Sequence, residues 1–246
     1  MMEANSNTPS GEAHEAAPKP NLARAAIGFL IYMFFYPVLL FLSAWTLDWP
    51  MAWLYVALIL LSTIVSRLVS LLKHPDLLRE RASHAQAEGT KAWDRILAPI
   101  AALYAPAAAM IIAGLDHRFG WSPDLAPSVQ YLAAALITFG YGLGVWAMIV
   151  NRFFSAVVRI QAERGHAVVT SGPYRIVRHP AYAGGLLAAL AMPFMLNTLW
   201  ALIPALAMSV PLIIRTKLED QALVQELDGY AAYAAKTRFR LFPGIW

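Results

Sequence analysis

Apolar residues fall into six blocks along this chain, at 25–47, 51–72, 96–115, 129–150, 182–196 and 199–214, each bounded by polar or turn-forming residues. A helix needs about 20 apolar residues to cross the hydrocarbon core of a bilayer, and the first four blocks are long enough. The last two are shorter and meet at Asn197-Thr198, a pattern that predicts a tight helical hairpin. The expected fold is an all-α integral membrane protein with five to six transmembrane helices, six being preferred, and a C-terminal helical hairpin.

Composition agrees with that pattern. Charged residues make up 14% of the 246 residues and hydrophobic ones 59%. A soluble domain carries about 25% charged residues, so a membrane protein is the better reading. The charges are also unevenly placed. In a six-span arrangement 17 of the 19 Lys and Arg residues fall on one side, in the two tails and in the 73–95 and 151–178 loops. The other side carries Arg118 beside Asp48, Asp116 and Asp124, and Arg67 lies inside the second block. The positive-inside rule then puts both termini in the cytosol. This asymmetry accounts for the basic surplus without nucleic acid.

Residues 1–22 are polar, rich in Pro, Ser, Asn and Glu, and contain no apolar run. They are expected to form a disordered cytosolic tail rather than a signal peptide. Residues 23–150 are then a membrane region and 151–246 the functional region. The chain has no cysteine, which excludes disulfides, thiolate zinc sites and cysteine nucleophiles. Its six histidines show no HExxH or paired spacing, and neither a phosphate loop nor a dinucleotide fingerprint is present.

The densest polar chemistry stands at 172–184, GPYRIVRHPAYAG, directly before the fifth block. Tyr174, Arg175, Arg178, His179 and Tyr182 are costly to keep at the lip of a membrane segment unless they bind something. Gly172-Pro173 and His179-Pro180 mark turns. Pro180 suits the first turn of a helix, whose free N–H groups would face the cluster and receive an anion. Gly184 and Gly185 let a backbone or a ligand come close. Upstream, His166-Ala167-Val168-Val169-Thr170 has the β-branched content of a short extended stretch, suited to laying backbone donors and acceptors along a ring such as adenine.

Downstream, Arg215 and Glu219 lie four apart on one helix face. They read either as a functional pair or as a salt bridge that ends the helix at the headgroups. Glu226 continues that face. Tyr230 and Tyr233 are expected in an interfacial belt, Arg238 and Arg240 in a headgroup-facing basic patch. In the fourth block Gly140 and Gly144 form a GxxxG pair, which permits close helix contact within the chain or between two copies.

The segments RGHAVVTSGPYRIVRHPAYAG, RTKLEDQAL and YAAYAAKTRFRLFPGIW, with an apolar hairpin after the first, resemble the isoprenylcysteine carboxyl methyltransferase family. The related membrane phospholipid N-methyltransferases share much of the same stretch. The resemblance covers 151–246, and the first four blocks match only in being apolar. It implies a methyltransferase with S-adenosylmethionine as cofactor, a cytosolic cofactor-binding region and a multi-pass membrane location. By motif, Gln161 (across a short gap), His166, Ala167, Val168, Val169, Tyr174, His179, Pro180, Ala181, Tyr182 and Glu219 fall on cofactor-binding positions. Arg215 falls on the residue that meets the acceptor's carboxylate. Arg215, Glu219 and His179 are the catalytic candidates. One departure is that family members often carry consecutive glutamates, whereas here Glu219 is followed by Asp220.

The expected partners are membrane lipids and a lipophilic or small-molecule methyl acceptor. An acceptor carboxylate is already ionised and needs only to be oriented, by Arg215. An amine or thiol also needs a proton removed, for which His179 and Tyr182 are candidates. The alternative is an NADPH-dependent membrane enzyme of the sterol-reductase type. The many cytosolic arginines suit it, and Glu219 does not.

Overall fold

The computed structural model describes residues 22–75 and 89–246, and among these no strand forms. Helix α1 (Leu22–Ala44) is followed by α2 (Pro50–Lys73). The next crossing is assembled from three pieces: α3 (Asp94–Pro99), a π-helical turn at Ile100–Tyr104, and α4 (Ala105–Phe119). Pro99 and Pro106 flank the π turn and remove two ladder donors, which is why the helix winds wide there. Gly120 ends α4 in the left-handed conformation, where a residue without Cβ fits best. Then come α5 (Pro127–Val150), α6 (Pro180–Met195), α7 (Leu202–Glu226) and the short α8 (Tyr230–Lys236).

Four of these stretches are long and apolar enough to cross a membrane: Pro50–Lys73, Asp94–Phe119, Pro127–Val150 and Leu199–Glu226. Met33–Ala44 and Pro180–Met195 are shorter apolar helices. Large side chains such as Leu61, Leu72, Phe139 and Ile203 stand exposed on them, a surface suited to lipid rather than to water. The protein is therefore a multi-pass integral membrane protein. The expected tail at 1–22 lies outside the described residues apart from Leu22.

One element differs from the sequence expectation, the stretch at 166–170. The apolar block at 199–214 continues as a helix to Glu226, as the shared face of Arg215, Glu219 and Glu226 predicts. It outlasts its apolar content because Arg215, Thr216 and Asp220 are buried against protein, not exposed to lipid. The stretch at 166–170 is loop; its β-branched residues find no neighbouring strand to pair with.

Helix α6 lies against α5 at backbone distance. Gly140 and Gly184 face each other so closely that a Cβ on either would run into the carbonyl of the other, while Gly142 and Gly144 meet nothing. The small-residue contact thus joins two helices of one chain through Gly140 and Gly184, not through the Gly140–Gly144 spacing along α5. Leu40, Ile137, Met195 and Leu196 are fully buried in the main apolar core.

The end of the bundle holding Phe119 and Trp200 is closed. Asp116 accepts from the Ser122 N–H at 2.8 Å, the Ser122 hydroxyl at 2.6 Å and the Trp200 N–H at 3.1 Å. Asn197 turns the chain between α6 and α7 in the left-handed conformation, which asparagine tolerates better than most residues. Its Oδ1 accepts from the Leu125 N–H at 2.7 Å. The two connections at this end are thereby stitched together.

Candidate functional site

At the other end of α7 a second buried carboxylate organises very different partners. Asp220 accepts from the Tyr230 hydroxyl at 3.0 Å and from Arg240 Nε at 2.9 Å. His179 Nε2 lies 3.4 Å from its Oδ1. Arg178 Nε lies 3.2 Å from the same oxygen as an ion pair, without hydrogen-bond alignment. Three segments, at 178–179, 230 and 240, therefore meet on one side chain. The C-terminal segment adds backbone support: the N–H groups of Arg178 and His179 donate to the carbonyls of Phe239 and Arg240 at 3.0 and 2.9 Å. Arg240 is thus bound to the site. It does not form a headgroup-facing patch with Arg238, which is exposed.

Tyr230 and Tyr233 are also not an interfacial belt. Both are buried. Tyr233 donates to the Tyr174 carbonyl at 2.7 Å, and the Tyr174 hydroxyl accepts from Asn151 Nδ2 at 3.0 Å. Burial pushes the Tyr233 phenol up to about 12 and the Tyr174 phenol well above its ordinary value, so both stay protonated. His166 is lowered to about 4, first by burial and then by the Arg164 and Arg159 cations, with Glu163 opposing. It is neutral at physiological pH.

These side chains line a cavity of about 110 Å³ that is partly open to its surroundings. Every residue that sequence placed on a cofactor position lines it: Gln161, the run His166 to Val169, Tyr174, the run His179 to Tyr182, and Glu219. Their roles differ. The Gln161 side chain holds its loop in shape, donating to the Phe153 carbonyl at 2.8 Å and accepting from Arg164. The backbone groups of Ala167, Val168 and Val169 have no hydrogen-bond partner among the described residues, leaving a ribbon of donors and acceptors beside the cavity. His179 precedes the first turn of α6 and its ring is parallel to that of Tyr182 at 5.7 Å. The Tyr182 hydroxyl donates to Glu219 Oε2 at 2.6 Å. Lys91 and Glu226 pair at the rim, at 2.6 and 2.7 Å.

Arg215 faces elsewhere. It borders a second cavity between the π turn, α4, α5, α6 and α7, lined mainly by alanine, methionine and other apolar side chains, with Tyr182 and Gly185 in its wall. Arg215 does not close a salt bridge with Glu219. It is buried against Asp94, Nε to Oδ1 at 2.6 Å and Nη2 to Oδ2 at 3.2 Å, and Nη2 also donates to the Ala156 carbonyl at 2.9 Å. Asp94 is wholly buried and takes the Val158 N–H as well, at 2.7 Å. Sequence reasoning missed Asp94 and the hub role of Asp220. Only the Glu-to-Asp departure at position 220 pointed at the latter.

Ala181 and Tyr182 belong to the walls of both cavities. A polar chamber and an apolar one thus adjoin across a single residue pair. Among the described residues, no group of three or more His, Cys, Asp or Glu is placed to hold a metal ion.

Residues 133–225 match the isoprenylcysteine carboxyl methyltransferase (ICMT) family. The match begins inside α5, upstream of the sequence resemblance, and stops before Tyr230. Among curated proteins, the cobalt-zinc-cadmium resistance protein CzcN of Cupriavidus metallidurans is 36% identical over 110 residues, 44% of this chain and 49% of that protein. The nickel-cobalt-cadmium resistance protein NccN of Alcaligenes xylosoxydans xylosoxydans is 33% identical over 110 residues, 44% of this chain and 50% of that protein. A probable protein-S-isoprenylcysteine O-methyltransferase of Oryza sativa subsp. indica is 35% identical over 69 residues, 28% of this chain and 36% of that protein. The matched stretch therefore spans half or less of each relative's length.

Proposed function

We propose that this chain is an integral membrane S-adenosylmethionine-dependent methyltransferase, taking its cofactor in the polar cavity and a lipophilic or small acceptor in the adjoining apolar one. The observation that carries the reading is the shared wall at Ala181 and Tyr182. A zwitterionic donor belongs in a chamber lined by His179, Glu219 and unpaired backbone groups. An oily acceptor belongs in a chamber lined by alanine and methionine. The family match supports methyl transfer as the chemistry. The positive-inside asymmetry supports a six-span arrangement with the polar cavity and both termini in the cytosol.

The residues present fit the cofactor. The free ribbon at Ala167–Val169 offers an edge for adenine. Glu219 Oε1 has no hydrogen bond among the described residues and offers an anion to the ammonium or sulfonium. When bound, S-adenosylmethionine supplies an electrophilic methyl carbon. The work of the protein is then alignment: Tyr182 and Glu219 fix one side of the reaction axis and Arg215 faces the acceptor from the other. Positioning of this kind is worth about 7–11 kcal/mol of the barrier.

The test is a thermal-shift titration of the full chain in detergent with S-adenosylhomocysteine and with NADPH. A ligand at 100 times its Kd adds about 2.7 kcal/mol. Stabilisation by S-adenosylhomocysteine, weakened in His179→Ala and lost in Glu219→Ala, is the expected result. Stabilisation by NADPH alone would sink the proposal in favour of a reductase, a reading that no comparison favours.

A further inference from the structure

The Arg215 guanidinium has already given up the edge that a carboxylate would need. Bidentate recognition of a carboxylate uses two N–H groups on neighbouring nitrogens, pointing the same way. Here Nε and Nη2 are taken by Asp94, and the second Nη2 proton goes to the Ala156 carbonyl. Only Nη1 is left, and it makes no hydrogen bond among the described residues. Charge points the same way. Arg215 is the sole charged residue in the lining of the apolar cavity, and its partner Asp94 is fully buried. The pair is neutral as a unit. A carboxylate brought into this cavity would lose its hydration and meet no uncompensated cation.

We infer that Asp94 sets acceptor specificity, and that the acceptor is an uncharged lipophilic nucleophile that still carries a proton, a thiol or a neutral amine, rather than a carboxylate. The inference rests on the methyltransferase reading and narrows it. Nη1 donates one hydrogen bond to the acceptor, and the alkyl part lies among Ala188, Met192, Ala205 and Met208. The proton has a route. Tyr182 borders the acceptor cavity, and its hydroxyl already donates to Glu219 Oε2 at 2.6 Å. As the acceptor's lone pair forms its bond to the methyl carbon, the carbon–sulfur bond of the donor breaks onto sulfur and neutralises the sulfonium. The acceptor's proton passes to the Tyr182 oxygen while the phenolic proton moves to Glu219. Mass and charge balance without another reactant.

The first experiment reads binding alone, without methyl donor. Alkanethiol, alkylamine and alkanoate of equal chain length are titrated into the full chain in nanodiscs by thermal shift. The thiol, the one of the three that is uncharged at pH 7, should bind at least about tenfold more tightly than the alkanoate, the scale of one well-placed hydrogen bond or charge. In Asp94→Asn, which frees the Arg215 fork, the order should move towards the alkanoate. Preferred binding of the alkanoate by the unaltered protein would overturn the inference, and that result needs no variant that folds. Loss of S-adenosylhomocysteine binding would instead overturn the methyltransferase reading, so the two failures are distinct.

The second experiment follows thiol methylation against pH. Tyr182→Phe keeps the ring and removes the relay. Its deficit should be on the order of 100-fold at pH 7, as for a lost general base. It should shrink as pH rises towards the pKa of the thiol, where the acceptor ionises unaided. A deficit that does not change with pH would remove Tyr182 from the proton route.

Discussion

Asp116 and Asp220 are both buried carboxylates, and they close the two ends of the bundle in opposite ways. Asp116 is satisfied by a hydroxyl and two backbone N–H groups from neighbouring turns. Its neighbourhood is tight and holds two connections together. Asp220 gathers two arginines, a histidine and a tyrosine from three segments, and Arg178, His179 and Tyr230 line the cavity. Neutral partners suffice to fasten a turn. Cationic partners held by one anion leave a charged, polarisable wall around an opening. The comparison says that burial of a carboxylate by itself does not mark a site, whereas the charge and distance in sequence of its partners do.

The sharpest way to break that contrast is to remove each carboxylate in turn. Asp220→Ala leaves Arg178 and Arg240 without their counter-charge and should cost about 3–5 kcal/mol, with the thermal shift by S-adenosylhomocysteine abolished. Asp116→Ala should cost about 1–3 kcal/mol for its orphaned donors, with that shift retained. If both variants lose ligand binding equally, the division between a fastening end and a binding end is wrong. Next in size is Gly184→Ala, which drives a methyl group into the Gly140 carbonyl and should cost about 1–3 kcal/mol, read as a lowered apparent Tm. Tyr233→Phe removes the bond to the Tyr174 carbonyl and should cost about 0.5–1.5 kcal/mol, with weaker ligand binding as the sign that it belongs to the open end.

A further check is a pH dependence confined to the binding end. The folded His166 holds its pKa at about 4, against about 6.5 in an unfolded chain. Between those values the unfolded chain takes up the proton and the folded one does not. The contribution is therefore fully present above pH 6.5 and is lost as pH falls towards 4. The drop in apparent Tm across that window should be shallower in His166→Gln than in the unaltered protein. An identical slope would place the titration elsewhere.

Much of this was legible in the sequence, for reasons that differ by residue. The long helices show because hydrocarbon demands uninterrupted apolar runs. His179, Tyr182 and Glu219 show because polar groups at a membrane edge are costly and therefore conspicuous. Asp94 does not show: a single carboxylate before an apolar block looks like a solvated loop residue, and its partner lies 121 positions away. Tyr230 and Tyr233 look like belt residues until their hydroxyls are seen bonded inside the protein. That Gly140 and Gly184 meet each other is not legible in the sequence. Spacing along one helix is visible in a sequence, whereas apposition of two helices is not.

That apposition has a practical consequence. The helix that opens at His179 is kept in place by two missing methyl groups, neither of which comes near a reactant. A mutational survey scored by turnover would place Gly140 beside Glu219 in importance. Only a measurement that separates how far apart two rods are held from what happens between them would show that Gly140 acts as a spacer.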